Sequence, residues 1–230
     1  MNVENHAIKV WRKFCERLSI DDQCVPLFEL DHAGSVCLKT TGKKSPRPIL
    51  MRSVQMEALI LTEVEKLVED WKSGSHLYGG LIYCMGWKKS RNFIPLYIGK
   101  AETLGKGDGN LSANLKNLTS DKSKFARWGD NYAYHLGDLS ACALPGHPEE
   151  KRTEKYAAWA ATLFEESPAD NPRLKQPVYF WATAWHQGHV GIWEELGPTS
   201  LAFLEYLLIG VAGRISADLL NREGIGRRIR

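Results

Sequence analysis

Apolar residues recur at helical spacing over residues 5–18, where Ile8, Trp11, Phe14, Cys15 and Leu18 fall on one side, and this pattern predicts a short amphipathic helix. Residues 25–40 read as an extended segment and a turn, broken at Ala33-Gly34. Gly42-Lys-Lys-Ser-Pro-Arg-Pro48 reads as a loop. The clearest periodicity lies at 53–72. Ile60, Leu61, Val64, Leu67, Val68 and Trp71 share one face there, with acids and lysines opposite. Ser73-Gly-Ser75 ends that helix, and the reading divides the chain there, into a mainly helical extension (1–75) and a main domain (76–230).

Two short apolar runs follow, Gly80-Leu-Ile-Tyr-Cys-Met85 and Ile94-Pro-Leu-Tyr-Ile-Gly99, joined by the turn-rich Gly86-Trp-Lys-Lys-Ser-Arg-Asn92. Such a pair predicts an antiparallel hairpin, with Pro95 at a strand start or an edge. Residues 101–124 are polar at first and then weakly helical through Leu111, Leu115 and Leu118. Another helix is expected within 123–144, interrupted by Gly129 and Gly137, and one at 150–166 around Tyr156, Trp159, Ala160 and Leu163. Val178-Tyr-Phe-Trp-Ala-Thr-Ala-Trp185 is β-branched and aromatic enough for a third strand. The order predicts an α+β fold, a small and mainly antiparallel three-stranded sheet flanked by helices.

The last helix carries an anomaly. In Leu201-Ala-Phe-Leu-Glu-Tyr-Leu-Leu-Ile-Gly-Val-Ala212 a single charge, Glu205, sits among apolar, aromatic and glycine neighbours. A carboxylate in such surroundings must be paired, protonated, bound to a metal or placed at an opening. The plainer reading is one narrow wet stripe along the helix.

A chain of 230 residues suits one domain with additions or two small ones. The net charge of +3 decides little, but its distribution matters. Cations cluster at Lys39, Lys43, Lys44, Arg47 and Arg52, at Lys88, Lys89 and Arg91, along Lys100 to Arg127 including Lys116, and at Arg222, Arg227, Arg228 and Arg230. Local basic patches are what a polyanion needs, and scattered solvated side chains are the alternative. The five cysteines form no CxxC pair and no zinc spacing, so reduced thiols and a cytoplasmic setting are expected. No signal peptide opens the chain, and the longest apolar run falls short of the roughly 20 residues that span a bilayer, so no membrane partner is expected. His186-Gln-Gly-His189 lacks a carboxylate arranged for a metal, and Gly105-Lys-Gly-Asp-Gly109 lacks the Gly-Lys-Ser/Thr ending of a phosphate loop.

Leu81-Ile-Tyr83, a connector and Tyr97-Ile-Gly-Lys-Ala101 resemble the GIY-YIG nuclease family, named for its two triplets. Leu81 stands where that motif has glycine, and the connector is longer than in its commonest members. Glu205-Tyr-Leu-Leu-Ile209 resembles the family's metal-binding Glu-x-x-Leu-Ile helix, and Asn221 follows at the distance of its asparagine. The family's arginine has no counterpart from Lys100 to Lys124; the first candidate is Arg127, in Phe125-Ala-Arg-Trp-Gly-Asp-Asn-Tyr-Ala-Tyr-His135. That layout is closest to the restriction-endonuclease-like branch, where an Arg is followed by a His. The resemblance covers roughly 79–223, with an insertion around 145–175.

The resemblance implies a metal-dependent endonuclease acting on DNA, with Mg2+ or Mn2+ held by Glu205 and mostly hydrated. Tyr83 would act as base or water-positioning group, Tyr97 as a positioning group, and Arg127 as the fork on a non-bridging oxygen. Lys100 would lower the tyrosine pKa or touch phosphate, His135 would be accessory, and Asn221 would supply a supporting hydrogen bond. Lys88, Lys89, Arg91 and Lys116 would contact the nucleic-acid backbone. Read as structure only, Arg127 is a salt-bridge partner of Asp130, His135 a satisfied half-buried histidine, and 88–91 a solvated turn. A catalytically impaired nucleic-acid-binding module is the alternative, since Asn110 and Asn114 occupy the usual place of the arginine. One such site cuts one strand, so duplex cleavage would call for a homodimer or two successive events.

Overall fold

The computed structural model describes residues 3–42, 45–107 and 109–223, with the side chains of 3–5 left aside. Its centre is an antiparallel sheet. The hairpin expected from the two apolar runs is longer than its apolar cores, because the flanking polar residues keep pairing: β4 spans Tyr78–Lys89 and β5 Asn92–Glu102. Tyr83 pairs with Gly99 and Met85 with Tyr97, whereas Gly86 pairs with Pro95, so Leu96 bulges out of register. Pro95 is thus accommodated at a bulge on an edge strand, where its missing N–H costs no ladder bond.

β6, Val178–His186, pairs with the other side of β4. The sheet has four strands rather than the expected three. The fourth, β1, is only Val25–Pro26, pairing with Phe180 and Tyr179, and gives the order β1-β6-β4-β5. Two residues are too few for a period-2 pattern to register. A separate hairpin, β2 (Leu38–Thr41) with β3 (Arg47–Leu50), lies in the N-terminal extension, which therefore carries strands as well as helices.

Helices cover both faces. Leu81, Tyr83, Met85 and Leu96 belong to a core built with α3 (Val54–Ser73), α4 (His135–Ala143) and α5 (Glu154–Leu163). Ile82, Cys84 and Ile98 belong to a second core with α1 (Val3–Arg17) and α6 (Leu201–Ile215); a one-turn helix, α2 (Ile20–Gln23), adds Ile20 to it. Ser53 caps α3 by accepting from Met56 N, and Gly74 closes it in the left-handed conformation. Inside this helix Glu63 faces the sheet and accepts from Ala184 N at 2.8 Å, while Asp70 accepts from Leu77 N and Tyr78 N and so fixes where β4 begins.

The weak helix expected at 111–118 is a series of turns. The side-chain oxygens of Ser112 and Asp121 accept from Asn114 N at 3.3 Å and from Ser123 N at 2.9 Å. Asn, Ser and Asp side chains compete with helix in this way. Downstream, only α4 and a single turn at Phe125–Arg127 replace the helix expected across 123–144. All five cysteines are unpaired. Among the described residues no helix is long and apolar enough to cross a membrane.

Candidate functional site

Tyr83 and Tyr97 come from adjacent strands, their ring centroids 6.4 Å apart. Gly99, the last residue of the second triplet, is directly opposite Tyr83. A Cβ there would stand 2.6 Å from the Tyr83 hydroxyl, so only glycine lets the phenol cross β5. Tyr83 is 1 % exposed, and its hydroxyl lies 2.9 Å from His135 Nε2. Burial pushes it well above the ordinary tyrosine range. Tyr97 is half-buried, and its hydroxyl has no hydrogen-bond partner among the described residues. Burial and then Glu205 raise it to about 12, against the pull of Arg127.

His135 is the first residue of α4 and is fully enclosed. Its ring stacks on Trp159 at 20° with centroids 5.3 Å apart, and its Nδ1 lies 2.8 Å from the Tyr156 hydroxyl. Burial, reinforced by Lys155 and Arg127, holds its pKa well below the ordinary histidine value. It is a neutral imidazole joining two phenols.

Arg127 sits on a strained turn. Phe125, Ala126 and Arg127 take φ values of 29°, 49° and 75°, three successive non-glycine residues in a conformation L side chains seldom adopt. The turn is over-determined from below. Ala126 N donates to Asn114 O at 2.7 Å. Arg52, on the buried side, lays its guanidinium 4.5 Å from the Phe125 ring centre and donates to Trp128 O at 2.6 Å. Arg52 also pairs with Asp130 at 2.7 Å and with Glu57 at 3.1 Å, and Lys39 holds the other Asp130 oxygen at 2.8 Å. The salt bridge that a purely structural reading gives Arg127 is therefore made by Arg52. Arg127 rests over Tyr134 at 5.4 Å and has no ion-pair partner among the described residues. Its charge is felt by Tyr83, Tyr97, Tyr156, His135 and Lys155.

Lys155 opens α5 beside these groups. Its Nζ lies 5.0 Å from the Tyr97 ring centre, 5.1 Å from that of Tyr156 and 5.4 Å from that of Trp159. Burial, then Arg127, lowers its pKa, and it too lacks an ion-pair partner among the described residues. The sequence reading placed Tyr156 and Trp159 on a helix face and gave neither them nor Lys155 any chemistry. Helical periodicity reports which side is covered, not what covers it.

Glu205 approaches from α6, with its side chain 24 % exposed. Its Oε2 is 3.9 Å from Lys100 Nζ, which makes its short contact, 2.5 Å, with Glu102 instead. Burial raises the Glu205 pKa and Lys100 offsets part of that. The narrow-wet-stripe reading accounts for the partial exposure, but not for a carboxylate electrostatically coupled to Tyr83 and Tyr97. Asn221 spends its amide on one backbone unit: it accepts from Ile98 N at 3.0 Å and donates to Ile98 O at 2.8 Å, so it closes the edge of β5 beside Tyr97 and Gly99.

The remaining candidates lie apart. Lys88, Lys89 and Arg91 are at the tip of the hairpin, about 20 Å along β5 from Gly99 at roughly 3.3 Å per residue. Lys89 and Arg91 are exposed, while Lys88 lies over the Tyr179 ring at 5.1 Å. Lys116 is exposed in the turns next to Asn114. The described members of the cluster at 39–52 are engaged within the protein: Arg52 is 3 % exposed, Lys39 is paired, and Arg47 lies over Tyr132 at 4.5 Å. Lys43, Lys44, Arg227, Arg228 and Arg230 lie outside the described residues. No protein-family model matches this chain, and neither a curated protein nor a solved structure matches it.

Proposed function

We propose that this protein is a metal-dependent endonuclease that hydrolyses phosphodiester bonds in DNA, with a GIY-YIG-like arrangement of its site. The observation that carries this reading is a pair of cations with no carboxylate at ion-pair distance among the described residues: Lys155, whose Nζ lies 5.0 Å from the Tyr97 ring centre, and Arg127, whose charge acts on both Tyr83 and Tyr97. Cations kept out of ion pairs at a rim call for an anion from outside, and a phosphodiester supplies one next to the phenols that would handle water.

The residues fit a hydrated divalent cation. Glu205 is a single half-buried carboxylate whose burial disfavours its charge, with its lysine neighbour at a long 3.9 Å. One carboxylate plus water and phosphate oxygens is a common donor set for magnesium. Glu205 would hold Mg2+ or Mn2+, whose chemistry there is Lewis-acid stabilisation of the leaving oxygen.

The chain's own groups then divide the work. Arg127 grips a non-bridging oxygen through its planar fork, and Lys155 adds charge from the aromatic cage. Tyr97, the phenol with an open hydroxyl, orients the attacking water. The water's proton leaves to bulk solvent as its oxygen bonds to phosphorus and the P–O bond to the leaving group breaks, while the buried Tyr83–His135 pair fixes the wall of the site behind Tyr97. Lys100 keeps Glu205 in place, and Asn221 holds β5. Exposed Lys89 and Arg91 at the hairpin tip, and Lys116, are placed to touch the backbone further along the duplex.

The test is nicking of supercoiled plasmid with Mg2+ or Mn2+ by the wild type and by Glu205→Ala. Cleavage by the wild type and its loss in a variant with an unaltered melt supports the proposal. A wild type that cleaves neither supercoiled, branched nor single-stranded DNA, yet binds DNA with steep salt dependence, would replace it by the binding-module reading.

A further inference from the structure

His135 stands between two phenols, 2.9 Å from Tyr83 through Nε2 and 2.8 Å from Tyr156 through Nδ1. A neutral imidazole has one N–H and one bare nitrogen. One phenol must therefore donate to the ring and the other must accept from it.

Burial decides which. Tyr83 is 1 % exposed, packed against Phe180, Trp128 and Gly99, and His135 is its single hydrogen-bond partner among the described residues. Were the imidazole proton on Nε2, Tyr83 would have to accept it, and its own O–H would be left without an acceptor among the described residues. A buried donor left unmade costs more than a spare lone pair left unmade. Tyr156 is under no such constraint. It lies in the first turn of α5 and is 5 % exposed, with Asp138 close enough to act on it electrostatically. At 5 % exposure its O–H can turn to solvent, and its oxygen can then accept.

We infer that His135 carries its proton on Nδ1, and that Tyr156, by accepting it, locks the tautomer whose bare Nε2 receives the Tyr83 proton. Tyr156 is a positioning residue that acts on Tyr83 through His135. The Tyr83 proton then points inward, and its oxygen lone pairs are turned away from the imidazole. The groups that face this relay are Tyr97 from β5, Arg127 from the strained turn, Lys155 from α5 and Asp138 from α4. The two cations disfavour a charged imidazole, so the relay stays neutral at rest. The tautomer stands independently of any activity, whereas its catalytic meaning rests on the nuclease reading.

The experiment is nitrogen-15 NMR of the histidine rings of the full chain, without nucleic acid, above pH 7. The signals of His135 are identified among the seven histidines by their loss in His135→Gln. The expected result is an Nδ1–H ring in the wild type and a shift toward Nε2–H in Tyr156→Phe, which keeps the ring and removes only the hydroxyl. A wild-type Nε2–H ring overturns the inference, as does an unchanged Nδ1–H ring in Tyr156→Phe. In plasmid nicking, Tyr156→Phe should lower kcat roughly tenfold with KM unchanged, the size of one neutral hydrogen bond. If the wild type cuts nothing while the ring shows Nδ1–H, the nuclease reading fails and the relay stands.

Discussion

Arg52 and Arg127 lie on opposite sides of one turn and live in opposite conditions. Arg52 is buried beneath it, with Glu57, Asp130 and the Trp128 carbonyl as partners and the Phe125 ring against its plane. Arg127 is presented on top, over the Tyr134 ring and without an ion pair among the described residues. The inner arginine holds three residues in left-handed backbone geometry; the outer one is what that geometry displays. Strain of this kind persists only where surrounding contacts over-determine it, and it gathers at functional sites. The contrast separates a cation that builds the protein from a cation that, under the proposed function, takes up an anion.

Removing the inner arginine should have the largest effect. Arg52→Met leaves Asp130 to Lys39 and Glu57 to Lys122 and strips the Trp128 carbonyl of its donor, a loss of at most about 3–5 kcal/mol; urea unfolding should show the loss, and nicking should fall with it because the turn relaxes. A stable Arg52→Met protein would mean the turn is held by other contacts. Next comes Gly99→Ala. Its Cβ would press on the Tyr83 hydroxyl from 2.6 Å, so a destabilisation of about 1–3 kcal/mol is expected, together with displacement of Tyr83 from His135.

The pH dependence is smaller and has a definite sign. His135 is held neutral when folded but titrates near 6.5 when unfolded. Below that pH the unfolded chain binds a proton the folded one refuses, so stability falls on acidification, by at most about 1.4 kcal/mol per pH unit. His147 and His189 shift in the same direction. The difference in slope between wild type and His135→Gln therefore isolates the buried ring, and equal slopes would contradict its neutrality. The smallest effect is a gain. Burial raises the pKa of Glu205, so its charge costs the folded state at neutral pH. Glu205→Gln should melt slightly higher, and the gain should vanish as pH falls below the ordinary carboxylate value of 4.5. A lower melt at neutral pH would make Glu205 a structural ion-pair partner of Lys100.

What was legible in the sequence follows the reach of each signal. The hairpin, β6, α3 and α6 were readable because long runs of apolar periodicity are local. β1 was not, since two residues joining a sheet through Phe180 and Tyr179 leave no pattern. Leu111, Leu115 and Leu118 have helical spacing, but the Ser112 side chain, and Asp121 just after them, take up backbone N–H groups. At the candidate site, Glu205 stood out as a lone charge in an apolar helix, and Tyr83 and Tyr97 through two triplets that resemble those of the GIY-YIG family. Arg127 was found as the first arginine after the hairpin, but its left-handed turn and the Arg52 clamp depend on contacts across more than 70 residues. Lys155 and Tyr156 were missed for the same reason: their chemistry comes from docking α5 against His135, which helical spacing does not encode.

The central claim is that Arg127 is reserved for a phosphate while Arg52 holds the turn. The most direct measurement pairs plasmid nicking with thermal unfolding for Arg127→Ala. The account predicts a fall in nicking of about 10²–10³-fold, the loss typical of one transition-state donor, with a melt within about 0.5 kcal/mol of wild type. Wild-type nicking by Arg127→Ala, or a clear drop in its melt, would contradict it.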